Sequence, residues 1–248
     1  MTELQGQAAL VTGGGGGIGR AICRRLAAAG AQIIITYSRD QGKARAAANA
    51  LAGGDHLIIR APVDDSEAQA RLAAIIAEKY SRLDILVNNA GITKAVPHAD
   101  LAGLDDETID QIFRVNWRGA FASIRALQPL LAEGAGGVVV NISSIAGRTG
   151  VGSNVAYCAS KAAMDSMTRS LARALAPRIR VLSVSPGWVN GEYAQRMPRA
   201  LIAEQEDKTP LGRIAEAEDV AEAVYAAVTH LRFSTGDIIP VDGGRPLG

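Results

Sequence analysis

Cysteine, aromatic residues and surplus charge are all scarce in this 248-residue sequence, and each scarcity removes a class of protein. The two cysteines, Cys23 and Cys158, sit among small apolar residues. So sparse a set cannot staple a secreted framework and points to free thiols in a reducing compartment. Aromatics make up 4% of the chain, so any core must be built from aliphatic side chains and alanine. Lys and Arg number 26 against 25 Asp and Glu, a formal net charge of +1. That balance offers no electrostatic grip on a polyanion, so no nucleic-acid partner is expected. No apolar run reaches the ~18 residues of a membrane span, and the opening Met-Thr-Glu-Leu-Gln-Gly lacks a basic, then apolar leader. A cytoplasmic protein without a membrane partner is expected.

What is abundant is a rhythm. Short Val- and Ile-rich runs at 8–12, 32–36, 56–60, 84–88, 137–142, 179–184 and 237–241 show no polar alternation, as in strands covered on both faces. Between them, 18–29, 43–51, 66–80, 107–131, 155–176 and 216–231 carry Ala, Leu, Arg and Glu at helical spacing. This alternation predicts an α/β fold, a Rossmann-like doubly wound parallel sheet of seven strands in a single domain spanning 1–248. Residues 185–213, with Pro186, Pro198 and Pro210, fit neither period and are predicted to form a substrate lid.

Five consecutive glycines, Gly13 to Gly17, then Ile18 and Gly19, join the first predicted strand to the first helix. Residues without a Cβ let backbone amides approach a pyrophosphate, whose charge the helix N-terminus stabilises. A mononucleotide P-loop is excluded because no Lys-Ser/Thr pair follows the last glycine.

Tyr157 and Lys161 stand four apart on a predicted helix, so both emerge on one face. A phenol beside an ammonium is shifted toward phenolate and so toward acid/base work near neutrality. Ser144, just past a strand, can donate to the same carbonyl oxygen. Read in order, Thr12-Gly13-x-x-x-Gly17-x-Gly19, Asn88-Asn89-Ala90-Gly91, Asn116, Ser144, Tyr157-x-x-x-Lys161 and Pro186-Gly187 resemble the short-chain dehydrogenase/reductase family along the whole chain. Within it, the C-terminal runs Pro210-Leu211-Gly212-Arg213 and Val241-Asp242-Gly243-Gly244 are similar to the branch of 3-oxoacyl-carrier-protein and carbonyl reductases.

The resemblance implies an NAD(P)-dependent oxidoreductase that interconverts a ketone and a secondary alcohol, with Asn116, Ser144, Tyr157 and Lys161 as the catalytic set. It assigns Asn116 to a helix kink and a water chain serving Lys161. It places the dinucleotide against Gly13, Gly16, Gly17, Ile18 and Gly19, against Asn89, Ala90 and Gly91, against Tyr157 and Lys161, and against Pro186, Gly187 and Val189. The partners implied are a small carbonyl or alcohol substrate and identical subunits in a homotetramer, and no metal is expected. The alternatives are reduction of a carrier-bound 3-oxoacyl group or dinucleotide binding without catalysis.

Tyr37, Ser38 and Arg39 follow the second strand, with Tyr37 where an acidic residue would select NAD(H). The absent carboxylate and the Arg39 guanidinium favour NADP(H), with NAD(H) left open. Three positions depart from the family pattern. Gly16 stands where many NADP(H) users carry a cation, Pro62 where a side chain would meet adenine, and Gly191 where a Thr often meets the carboxamide. Adenine is therefore assigned to Val63 and Asp64.

Overall fold

The apolar runs become strands because each is too short for a helix and is apolar on both sides. The computed structural model describes residues 3–247, so positions 1, 2 and 248 of the expected domain lie outside it. Seven strands form one sheet: β1 (Ala8–Thr12), β2 (Gln32–Tyr37), β3 (Leu57–Arg60), β4 (Ile85–Asn88), β5 (Gly137–Ile142), β6 (Ile179–Pro186) and β9 (Ile238–Val241). Between the last two, β7 (Val189–Asn190) and β8 (Ala215–Glu216) make a separate two-residue pair. The main sheet is parallel throughout, as the alternation predicts, and its order is β3-β2-β1-β4-β5-β6-β9. The chain winds outward from β1 to β3, then returns to pair β4 with the other side of β1. Such a reversal opens a crevice at the C-terminal strand ends.

The helices are α1 (Gly17–Ala28), α2 (Gln41–Asn49), α3 (Ser66–Tyr80), α4 (Asp106–Phe113), α5 (Ala120–Leu131), the single turn α6 (Ala146–Thr149), α7 (Val155–Leu175), α8 (Arg199–Asp207) and α9 (Ala217–Thr229). Several begin at capping side chains: Asp40, Asp65, Asp105 and Asn154 accept from the amides of Lys43, Ala68, Thr108 and Tyr157 at 2.7–3.0 Å. Strand pleating divides the core in two. Ile33 and Ile35 of β2 join Ile22, Leu26, Val220 and Val224 of α1 and α9. Ile34, between them, faces Leu72, Ile76, Ile124, Leu127 and Met164 of α3, α5 and α7.

Two expectations need correction. The helix that periodicity predicts over 107–131 is interrupted by a π-helical segment, Arg114–Gly119, which contains Asn116, the residue the resemblance assigns to a helix kink. Asn116 spends its side chain on Ile92, and Gly119 lies so close to Val63 that a Cβ would fall 2.6 Å from its Cγ2. The predicted lid is also more ordered than its prolines suggest. Ser185 and Pro186 complete β6, and the rest contains β7, a 3-10 turn at Ala194–Arg196, and α8, which starts directly after Pro198.

Candidate active site

The glycine loop is built around contacts that exclude side chains. Gly13 has φ +64°, which L-residues rarely adopt, and a Cβ on Gly19 would lie 2.6 Å from both the Gly13 carbonyl and Asn89 Nδ2. Gly16 and Gly17, by contrast, face open space. No side chain caps α1 at Gly16, so its first amides are left for an anion. The Asn89 side chain clamps the loop, donating to the carbonyls of Thr12 at 2.9 Å and Gly13 at 3.2 Å. Thr12 Oγ1 accepts from the amides of Asn89 and Ala90, both at 3.0 Å. A cradle open at Gly16 and Gly17 and closed behind by Gly19 fits a dinucleotide pyrophosphate.

This loop lies midway along a cleft of about 2110 Å³. That is roughly twice the upper end of the ~300–1,000 Å³ usual for one small-molecule site, enough for two ligands side by side. One end is lined by Tyr37, Ser38, Arg39, Arg60, Pro62, Val63 and Asp64. The other holds Gly91, Ser144, Tyr157, Lys161, Pro186, Gly187 and Val189, and continues past Tyr193, Met197 and Leu201 of the predicted lid. Pro62 is present but brings only its carbonyl, which accepts from Gln69. His98 lines the cleft as an exposed loop residue with Nε2 3.1 Å from the Gly152 carbonyl.

At the second end polar groups are buried and largely paired. Lys161 is 5% exposed, and its Nζ donates to the Ile142 carbonyl at 2.7 Å. Burial lowers its pKa to about 8, against a smaller opposing pull from Asp165. Tyr157 moves the other way. Burial raises its pKa, and a hydrogen bond with Ser144 offsets this only partly. The ammonium lies 5.7 Å from the Tyr157 ring centroid, so desolvation rather than the cation governs the phenol in this structure. Ser144 Oγ also accepts the Ala146 amide at 3.2 Å, whereas the neighbouring Ser143 is buried and turned to the Lys161 carbonyl.

Asn116 is fully buried at the π segment. It accepts from the Ile92 amide at 2.8 Å and donates to the Ile92 carbonyl at 3.0 Å and Ser160 Oγ at 3.1 Å. It therefore ties three elements together directly.

Other contributors were missed in the sequence. Asn154 is fully buried and accepts the Tyr157 amide at 2.7 Å, starting α7 at the turn that carries the phenol. An Asn just before a helical run is a readable cap signal. Asn88, Asn141, Thr168 and Ser183 form a buried side-chain chain under the site, with links of 2.8–2.9 Å. Asn88 belongs to the Asn88–Gly91 motif, and the polar Asn141 and Ser183 inside strands were the other hint. Lys43 and Glu192 meet at 2.7 Å, joining α2 to the segment after β7, and both line the cleft. Arg60 lines the end that holds Arg39. Nothing local marks these last two contacts.

With this geometry in view, the family model described as Enoyl-(Acyl carrier protein) reductase matches residues 13–245. A "Granaticin polyketide synthase putative ketoacyl reductase 2" of Streptomyces violaceoruber is 41% identical over 241 residues, 96% of each chain. A 3-oxoacyl-[acyl-carrier-protein] reductase of Thermotoga maritima is 32% identical over 98% of each. The crystal structure of a short-chain dehydrogenase/reductase from Burkholderia xenovorans, its assignment there provisional, superposes with TM-score 0.90 at 35% identity, covering 98% of both chains.

Proposed function

We propose, since this chain belongs to the short-chain dehydrogenase/reductase family, that its Tyr157 is the acid/base of a ketone–alcohol interconversion assisted by Ser144, Lys161 and Asn116. The enzyme is an NAD(P)-dependent oxidoreductase acting on CH–OH groups. The observation that carries the assignment of roles is the meeting of Tyr157, Ser144 and buried Lys161 at one end of the cleft.

The glycine loop and α1 amides hold the pyrophosphate, and Gly91, Lys161, Pro186, Gly187 and Val189 line the nicotinamide end. When bound, the dinucleotide supplies or takes the hydride. The residues manage the oxygen. In reduction, the Ser144 hydroxyl and the Tyr157 phenol donate to the carbonyl oxygen, and the phenol gives up its proton as negative charge develops there. A phenol whose pKa is raised by burial keeps that proton until the oxygen demands it. Lys161, protonated below about pH 8, then stabilises the phenolate. Asn116 holds Ile92 and Ser160 in place and, by the family resemblance, steadies the route by which Lys161 is reprotonated.

Three further readings complete the proposal. NADP(H) is preferred, since no carboxylate occupies position 37 and the Arg39 guanidinium is unpaired among the described residues. Segment 185–213 closes over the substrate, which meets apolar Val151, Tyr193, Met197 and Leu201 in the cleft. The subunits form a cytoplasmic homotetramer through α4, α5 and α7, on which Val155, Ala159, Ala162 and Ser166 form an exposed stripe. Met164 and Met167, on the same helix, face the core. No helix among the described residues is long and apolar enough to cross a membrane. Reduction of a carrier-bound 3-oxoacyl group is the second reading, favoured by the names of the relatives.

A panel of ketones and alcohols assayed with NADPH, NADH and their oxidised forms tests the activity, and a free 3-oxoacyl thioester compared with its carrier-bound form separates the two readings. Absence of turnover across the panel would refute the proposed roles. Light scattering that finds only monomer at micromolar concentration would refute the tetramer.

A further inference from the structure

We propose that Arg60, at the end of β3, is a second ligand of the dinucleotide's 2′-phosphate, and that with Arg39 it sets the preference for NADP(H). This rests on the oxidoreductase reading above. The register of β2 and β3 places Tyr37 opposite Arg60, so β3 delivers Arg60 beside the turn where the ribose is held. Its Nε donates to the Ser38 carbonyl at 3.2 Å, which fixes the guanidinium against that turn. The terminal Nη groups of Arg60 make no hydrogen bond or ion pair with any described residue, and neither does the Arg39 side chain. Lys43, the neighbouring cation in the cleft, is paired with Glu192.

Neither nearby carboxylate, Asp40 or Asp64, forms an ion pair with Arg39 or Arg60. Asp40 Oδ1 accepts the Lys43 amide as the α2 cap. The glycine loop offers no cation, since Gly16 has no side chain and a Cβ there would meet only the Gly13 carbonyl, at 3.9 Å. Two uncommitted guanidiniums, one tethered through its Nε, are suited to a phosphate dianion by fork-shaped, charge-assisted hydrogen bonds. The cation that the glycine loop lacks is thus supplied from β3, two strands away from β1.

Calorimetric titration of the full protein with NADP⁺ and NAD⁺ tests this without turnover. Arg60→Ala should weaken NADP⁺ about tenfold, the lower end for a charge-assisted bond because the site is exposed, and leave NAD⁺ within about twofold. Arg60→Lys should recover part of the loss, and the loss should shrink as salt is raised. Arg39→Ala combined with Arg60→Ala should abolish the preference. The proposal is overturned if Arg60→Ala leaves NADP⁺ unchanged while Arg39→Ala weakens it. It is equally overturned if Arg60→Ala weakens both dinucleotides alike, which would make Arg60 a support for the turn. A wild type that binds both equally overturns the preference and Arg60's part in it. Binding of neither would overturn the oxidoreductase reading itself.

Discussion

The two ends of the cleft solve opposite problems. Around Tyr157 polar groups are buried and mostly satisfied: Lys161 on Ile142, Asn116 on Ile92 and Ser160, Asn154 on the Tyr157 amide. Around Arg39 and Arg60 the cations are exposed and largely uncommitted. Proton transfer needs fixed distances and shifted pKa values, which burial provides. Recognition of a phosphate needs charge whose hydrogen bonds are still available to the ligand. Substitutions at the buried end should therefore affect rate and stability, and those at the exposed end affinity alone.

The sharpest test is Tyr157→Phe. It removes one hydroxyl and should lower turnover by at least about a hundredfold while leaving fold and dinucleotide affinity nearly intact. Steady-state kinetics with calorimetry check it, and activity within a few-fold of wild type would end the acid/base assignment. Gly19→Ala, between the two ends, should weaken either dinucleotide about tenfold or more, because its Cβ would sit 2.6 Å from the Gly13 carbonyl. Gly17→Ala, whose Cβ would enter the space left open for the pyrophosphate, should also weaken both dinucleotides but leave the denaturant midpoint unchanged, and wild-type binding by this variant would contradict the cradle geometry.

Asn116→Ala should destabilise the protein by about 1–3 kcal/mol, since the Ile92 amide and carbonyl lose their partner. Denaturant unfolding measures this, and an unchanged midpoint would show that the π segment holds without it.

Lys161 gives a pH test. Its folded pKa of about 8 lies below the ordinary 10.5, so holding its charge in the fold is a penalty, complete below about pH 8 and fading as pH rises toward 10.5. Wild type should therefore gain stability on Lys161→Met between those limits. Tyr157 and Cys23, whose raised pKa values act the other way at high pH, are common to both proteins and drop out of the difference. A gap that does not vary with pH would mean that Lys161 is not depressed. The smallest effect is expected from Glu192→Gln, because an exposed pair such as Lys43–Glu192 contributes little to stability. Its denaturant midpoint should match wild type, and a clear fall would show that the bridge across the cleft is structural.

Periodicity and local chemistry made most of the architecture legible. Apolar runs without alternation became the seven parallel strands, and the predicted helices lie within a few residues of those found, the interrupted one at 107–131 excepted. The glycine loop between β1 and α1 and the one-turn spacing of Tyr157 and Lys161 could be read because each depends on neighbours a few residues away, whereas the role of Ser144 rests on the family resemblance. The rest depends on contacts between distant segments. Asn116 breaks a helix because Ile92 lies within hydrogen-bond reach, α8 forms in a stretch whose prolines read as loop, and Arg60 stands beside Ser38 through the β2–β3 register. Most telling is Tyr157. By itself the sequence sets an ammonium one turn from the phenol, which argues for a lowered pKa. Only the tertiary structure, by burying both groups, raises the phenol and lowers the amine, because desolvation depends on everything packed around a group and on nothing in its local spacing.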